Sequence, residues 1–282
     1  MSQTYKATGI NLKGMPMGES DRLLTVLTSE FGLIRAIAPG ARKAKSSLGG
    51  RSGLFVVNEL LVVKGRSLDK IIQAQTIQSY PGLSQHLLKL TASQYLAELV
   101  LCQALTDRPQ TDLYDLLLLH LDRLETSDLN LTLPHLIQGT FHLLALAGIA
   151  PQVQNCCSTG KAIAPNFQDP QWHIPFNLAS GGIVSPEKEL QAFQVQESGS
   201  HYQVQNSPRK SHQPQTFSLN ASQLWTLQHL AGPELPKLEQ GTDHLWPSLE
   251  TLLRAYAQYH FDRPIRAATL LEPCLANLPK PP

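Results

Sequence analysis

No apolar run in the chain approaches the roughly 18 residues that a bilayer-spanning helix requires; stretches such as Leu116–Leu119 are far shorter. The opening Met1-Ser-Gln-Thr-Tyr-Lys has no apolar stretch of the kind a secretory leader carries, so a cytoplasmic location without membrane contact is expected. Cysteine is scarce, with four in 282 residues, which excludes a disulfide framework in a chain long enough to build its own core. Aromatic residues make up 6%, too few for a surface paved with base-stacking platforms. An excess of either charge is also missing: 23 Lys and Arg against 22 Asp and Glu leave +1, so neither a histone-like nor an acidic protein is indicated.

One absence is local and more informative. Residues 31–58 contain no acid at all. Through residue 75 the chain has 11 basic and 5 acidic side chains, whereas the rest has 12 and 17. A basic module is therefore joined to an acidic remainder, a pattern that points toward nucleic acid or another anionic surface.

The basic module reads as β. Short β-branched or aliphatic runs at Ala7–Leu12, Leu23–Thr28, Leu33–Ala38, Leu54–Lys64 and Ile71–Ile77 are separated by Gly, Pro and Ser. Five strands are fewer than a sandwich needs and suit a small, partly open oligonucleotide-binding (OB) barrel. Residues 1–80 are taken as this domain and 81–282 as a helical one.

From Leu83 the period lengthens to that of a helix. Leu88, Ala92, Tyr95, Leu99 and Cys102 mark one apolar stripe; Leu113, Leu117, Leu121 and Leu124 mark a second, with Thr111 as its expected cap. A third helix is expected from about Pro134 to Gly148. Residues 150–217 are broken by seven prolines and read as a loop-rich insert with short strands near Ile174–Leu178 and Phe193–Val195. Helices return at Ser222–Ala231, capped by Asn220, and at Pro247–His260, and are expected to complete the bundle; α+β is the resulting class. The closing Pro279-Lys280-Pro281-Pro282 reads as a tail.

Candidate phosphate contacts follow from the acid-free window. Arg35, Arg42, Lys43, Lys45 and Arg51 lie in it, four of them in the Gly- and Ser-rich loop between the third and fourth strands, and Arg22, Lys64 and Arg66 complete the set. Gly40-Ala-Arg-Lys-Ala-Lys-Ser lacks the second glycine that a P-loop places before its Lys-Ser. Tyr5, Phe31 and Phe55 are the chief aromatics nearby, so affinity should rest on charge, with single and double strands both bound and little sequence preference. No catalytic motif is present, so no enzyme is indicated. Cys156 and Cys157 are adjacent, a spacing poorly suited to chelating one tetrahedral metal.

The run Gly18-Glu-Ser-Asp-Arg-Leu-Leu-Thr-Val-Leu-Thr, followed by Phe31-Gly-Leu-Ile-Arg-Ala-Ile-Ala-Pro-Gly-Ala-Arg-Lys-Ala-Lys-Ser-Ser-Leu-Gly-Gly, resembles the N-terminal barrel of the RecO family of bacterial recombination mediators. Weaker likeness continues at Leu144-Ala-Leu-Ala-Gly-Ile-Ala-Pro151 and Tyr259-His-Phe-Asp-Arg-Pro-Ile-Arg266. The resemblance implies a non-enzymatic DNA repair and recombination protein that binds single- and double-stranded DNA and anneals strands. It further implies contact with single-strand-binding protein, and joint action with RecR to load RecA, with nucleoid association during repair. It also implies a zinc-ribbon-like insert. Carrying its four cysteine positions over places Cys156, Thr159, Ser185 and Lys188 there, so one ligand of four remains and no structural zinc or other cofactor is expected. Trp172, Ile174, Phe176 and Ile183 are the expected core of that insert. Two other classes fit the charge pattern: a scaffold whose basic barrel docks acidic peptide tails, and an RNA-binding accessory factor.

Overall fold

The computed structural model describes residues 3–185, 216–237 and 245–276; the expected strand at Phe193–Val195 lies outside them. They divide into two compact units, residues 1–139 with 265–282, and residues 140–264.

The first unit begins with five strands: β1 (Thr4–Met17), β2 (Asp21–Thr28), β3 (Gly32–Ala38), β4 (Val57–Val63) and β5 (Asp69–Gln78). They form a closed barrel in the order β1-β2-β3-β5-β4, OB-like in strand count and size. It is closed rather than partly open because β3 and β5 pair in parallel at Ala36↔Asp69 and Ile37↔Lys70. Alternation puts Leu24, Val26, Ile34, Ala36 and Ala38 inside with Leu60, Val62 and Ile71. The first strand is longer than its apolar run suggested, because a bulge between Asn11 and Lys13 shifts the alternation in mid-strand. Leu54 to Val56, expected in the fourth strand, belong to the loop before it: Phe55 takes φ +57 and turns its ring into the interior, 2% exposed.

Three helices follow, α1 (Leu87–Gln103), α2 (Thr111–Thr126) and α3 (Thr132–Leu146), the last running across the division between units. The single stripe expected of α1 is corrected: Leu96, Ala97, Val100, Lys89 and Ser93 are buried as well as Leu88, Ala92, Tyr95 and Leu99, so most of its circumference is covered. Buried Lys89 donates Nζ to Glu125 O (2.8 Å) and Ser127 O (2.6 Å), satisfying carbonyls at the end of α2. Thr111 is not the cap of α2 but its first residue; Gln110 holds the cap position, and the Thr111 hydroxyl instead meets Ser29 at 3.1 Å. Gly148, φ +76, ends the third helical stretch as its sequence suggested.

The connection from α1 to α2 is tied to the β2–β3 turn. Leu33 N donates to Leu105 O (2.8 Å) and Gln110 N to Ser29 O (2.8 Å). Gly32 makes this approach feasible: its φ is +65, and a Cβ there would stand 2.2 Å from Leu105 O. The helix packed on α1 from the end of the chain is Ala268–Ala276, unrecognised in the sequence because it is short and contains Pro273. It starts where Glu98 accepts from the Arg266 and Ala267 amides.

The second unit holds a three-stranded sheet, β7 (Gly182–Ile183), β6 (His173–Asn177) and β8 (Thr216–Asn220) in that order. With it go α4 (Ala221–His229) and α5 (Leu245–Phe261), so the expectation that these two helices complete the first bundle is corrected; the chain-end helix, α6, occupies that role. Asn220 caps α4 as expected, in a reciprocal capping box with Gln223. Ile174, Phe176 and Ile183 are buried, with Leu178, Val153, Cys156 and Leu219, whereas Trp172 is only partly covered.

Candidate nucleic-acid interface

The β3–β4 loop is fastened to the barrel by buried amides. Asn11 and Asn58, 1% and 0% exposed, both donate Nδ2 to Arg51 O, at 2.8 and 2.9 Å. Asn11 also reaches Gly53 O (2.9 Å), and Thr76 donates to Asn58 Oδ1 (3.1 Å). A buried amide left without partners costs about 1–3 kcal/mol, so these bonds favour one loop conformation over its alternatives. The other end of the loop is held by Asp21, which accepts from Gly40 N (2.7 Å) and Ser20 Oγ (3.0 Å). The Gly40 amide above all, then the Ser20 hydroxyl and the charges of Lys43 and Lys70, keep its carboxyl below the usual range.

The basic side chains fall into three groups. Arg22 shares strand parity with inward Leu24 and donates Nη1 to Ser52 O and Oγ, both at 3.2 Å, bracing the loop from beneath. Arg42 and Arg51 are engaged with Gly18 O (3.1 Å) and Ser47 O (2.6 Å). Lys64, at the end of β4, pairs with Asp107 at 3.0 Å, the first cause of its raised pKa. Exposed Arg35, Lys43, Lys45 and Arg66 make no ion pair among the described residues. The structure thus joins Arg42, Lys43 and Lys45 with Arg51 in one clamped loop, puts Arg35 on the outer face of β3, and leaves Lys64 and Arg66 at the β4–β5 connection.

Two exposed cations that the sequence did not single out, Lys13 and Lys70, stand on the same outer face as Arg35. Register aligns Lys13, Thr25 and Arg35 across β1, β2 and β3, and the neighbouring row runs Met15, Leu23, Ile37 and Lys70 across four strands. Neither cation belongs to a basic cluster along the chain, Lys13 standing seven residues from Lys6 and Lys70 directly after Asp69; only strand pairing reveals them. No aromatic residue stands in either row. Tyr5 and Phe31 pack against the barrel core with centroids 4.7 Å apart, and the Tyr5 hydroxyl donates to Asp69.

In the second unit a pocket of about 490 Å³ is lined by Thr216, Phe217, Thr251, Arg254, Ala255 and Gln258. Its arginine is paired at 3.3 Å with Glu250, which is 5% exposed, so the pocket offers no uncompensated positive charge. The Cys156 thiol is 1% exposed and accepts from Ser185 N at 3.2 Å. Burial alone would raise its pKa; hydrogen bonds from the Thr159 hydroxyl and the Ser158, Thr159 and Ser185 amides outweigh that and bring it to about 7. These donors do not fit a tetrahedral zinc. Thr159 spends its hydroxyl on the thiol, Ser185 offers its amide, Lys188 lies outside the described residues, and no group of three metal-ligating side chains occurs among those described.

No helix among the described residues is long and apolar enough to cross a membrane. Two family profiles match: recombination protein O N terminal over residues 1–80, and recombination protein O C terminal over 84–268. Similar curated proteins include the "DNA repair protein RecO" of Nostoc punctiforme, 52% identical with 96% of each chain covered. That of a Cyanothece species is 51% identical, with 99% of this chain and 98% of the relative covered. The Gloeobacter violaceus protein is 43% identical over 99% and 97%. With both profiles matched in order and half the residues shared across nearly the whole length, the chain belongs to the RecO family of DNA repair proteins.

Proposed function

We propose that this chain is a DNA-binding mediator of repair and recombination whose barrel neutralises phosphates on single and double strands. The observation that carries this reading is the clamped, acid-free loop: Arg42, Lys43 and Lys45 project from a backbone pinned by Asn11, Asn58 and Asp21. Pre-ordering removes conformational entropy that a mobile basic tail would lose on binding. Arg35, Arg51, Arg66, Lys13 and Lys70 add to the contact surface, while Arg22 and Lys64 act chiefly through their protein partners. Phosphate contact without base readout lowers repulsion between two strands and leaves their pairing edges accessible, which is what annealing needs. The family supports the finer reading: strands annealed on DNA coated with single-strand-binding protein, RecR as co-worker, RecA loaded as the outcome. The protein acts without an active site, cofactor or structural zinc, in the cytoplasm and at the nucleoid during repair.

Strand annealing on DNA coated with single-strand-binding protein tests this directly. The variant R42A/K43A/K45A is expected to anneal at least about tenfold more slowly than the parent, in line with three lost phosphate contacts. Equal rates at several salt concentrations contradict the reading.

A further inference from the structure

In the second unit two neighbouring thiols stand in opposite settings. Cys156 is 1% exposed, whereas Cys157 faces solvent. Four donors converge on the Cys156 sulfur: the Thr159 hydroxyl and the amides of Ser158, Thr159 and Ser185, the last at 3.2 Å. Such bonds are stronger to a charged acceptor than to a neutral one, so the cage suits a sulfur anion. At Cys157, loss of hydration first and the Cys156 sulfur second push the thiol up, which also puts the two sulfurs within electrostatic reach. The backbone around them is a closed turn: Cys156 N donates to Lys161 O and Gly160 N to Cys156 O, both at 2.8 Å. Cys157 N ties this turn to β7 through Ile183 O, also at 2.8 Å.

We infer that Cys156 and Cys157 form a thiol-oxidation site, at which a peroxide converts the pair reversibly to a disulfide. The exposed sulfur meets the oxidant and the caged one completes the reaction. First, the Cys157 sulfur attacks one peroxide oxygen: the S–O bond forms, the O–O bond breaks, and the other oxygen leaves with the thiol proton, as water when the oxidant is hydrogen peroxide. The Cys156 thiolate then attacks the Cys157 sulfur; the S–S bond forms, the S–O bond breaks, and hydroxide departs, taking a proton from solvent. In sum the two sulfurs give up two electrons and the peroxide accepts them. An exposed thiol without such a neighbour continues to sulfinic acid, which is not readily reversed; the adjacent anion intercepts it. Neighbouring Cα atoms lie about 3.8 Å apart, closer than the roughly 4.4–6.8 Å that a relaxed bridge spans, so the product is strained and readily reduced. That matches a reducing compartment, where disulfides are transient rather than structural. Closing the bridge takes the Cys156 sulfur out of its cage and opens the turn, which releases the Ser185 amide and the tie to Ile183. Oxidation is thereby converted into lost backbone order at the turn. None of these residues belongs to the barrel, so the inference stands independently of the DNA-binding reading.

The experiment treats full-length parent, C156S and C157S with a small excess of hydrogen peroxide, with and without the sulfenic-acid trap dimedone. Mass spectrometry then reads the tryptic peptide 124–161, which carries both cysteines and neither Cys102 nor Cys274. In the parent this peptide is expected to become lighter by two hydrogens and to regain them with dithiothreitol. C156S, whose remaining thiol has no neighbour to close on, is expected to trap at least about fivefold more dimedone than the parent and to proceed to sulfinic acid. C157S alters an exposed side chain and is expected to keep Cys156 reduced. Brief digestion of the folded protein should cleave after exposed Lys161 at least about threefold faster in the oxidised parent than in the reduced one, because the turn has opened. The inference is overturned if the parent peptide stays reduced, if it gains oxygens as C156S does, or if Cys156 is oxidised as fast in C157S as in the parent. Equal cleavage of oxidised and reduced parent likewise contradicts it.

Discussion

The barrel and the second unit both bury polar groups, but to opposite effect. In the barrel, Asn11 and Asn58 are turned inward to hold a loop whose cations point outward. In the second unit the cation lining the pocket is neutralised by Glu250, and Cys156 is enclosed by hydrogen bonds from Ser158 and Thr159 of its own loop and from Ser185 beyond β7. Residues 140–264 contain seven basic and nine acidic side chains, the reverse of the balance through residue 75. Hydrogen bonds made by buried polar groups thus serve binding in one region and internal order in the other. Function in the first depends on charge left over after the fold is satisfied; in the second, little is left over.

Two glycines give the sharpest way to break this comparison. Gly32→Ala places a Cβ 2.2 Å from Leu105 O at a φ of +65, and Gly182→Ala places one 2.1 Å from Gln152 O. Each should lower stability by more than about 2 kcal/mol, read from denaturant midpoints. Only the first is expected to weaken DNA binding, because it acts in the unit that carries the free cations. Equal loss of binding by both would erase the proposed division of labour.

A smaller effect concerns how the first unit treats positive charge in its interior. Burial, then the nearby charges of Arg123 and Lys89, push the His135 pKa down to about 4, and its Nδ1 has no hydrogen-bond partner. The unfolded chain takes up this proton near pH 6.5 and the folded one does not, so between those values the unfolded state binds more protons. Stability should therefore fall as pH drops from about 6.5 toward 4, and His135→Gln should reduce that slope. Urea midpoints at pH 7.5 and 5 check it; identical slopes in parent and variant contradict it.

How much of this was legible in the sequence depended on whether the signal was local. Strand periodicity and the gap in acids made the barrel and its loop readable, since Arg42, Lys43 and Lys45 are neighbours in the chain. Lys13, Met15 and Lys70 were not, because they meet Arg35 and Ile37, 22 to 35 residues away in the chain, only through register between strands. Asn11 and Asn58 gave no warning either: a single polar residue in an apolar strand looks the same whether it clamps a loop or faces water. Pro273 hid the last helix, since proline inside a short segment normally argues against one. The sheet of the second unit was only partly legible, its strands being short and far apart in sequence.

The central claim is that the clamped loop supplies sequence-neutral phosphate affinity to both forms of DNA. Its most direct measurement is the dissociation constant for a single strand and its duplex, across a series of salt concentrations, in the parent and in R42A/K43A/K45A. The account predicts weaker binding to both forms in the variant and a log–log salt slope reduced by about 2–3, one for each phosphate contact removed. An unchanged slope for either form would contradict it.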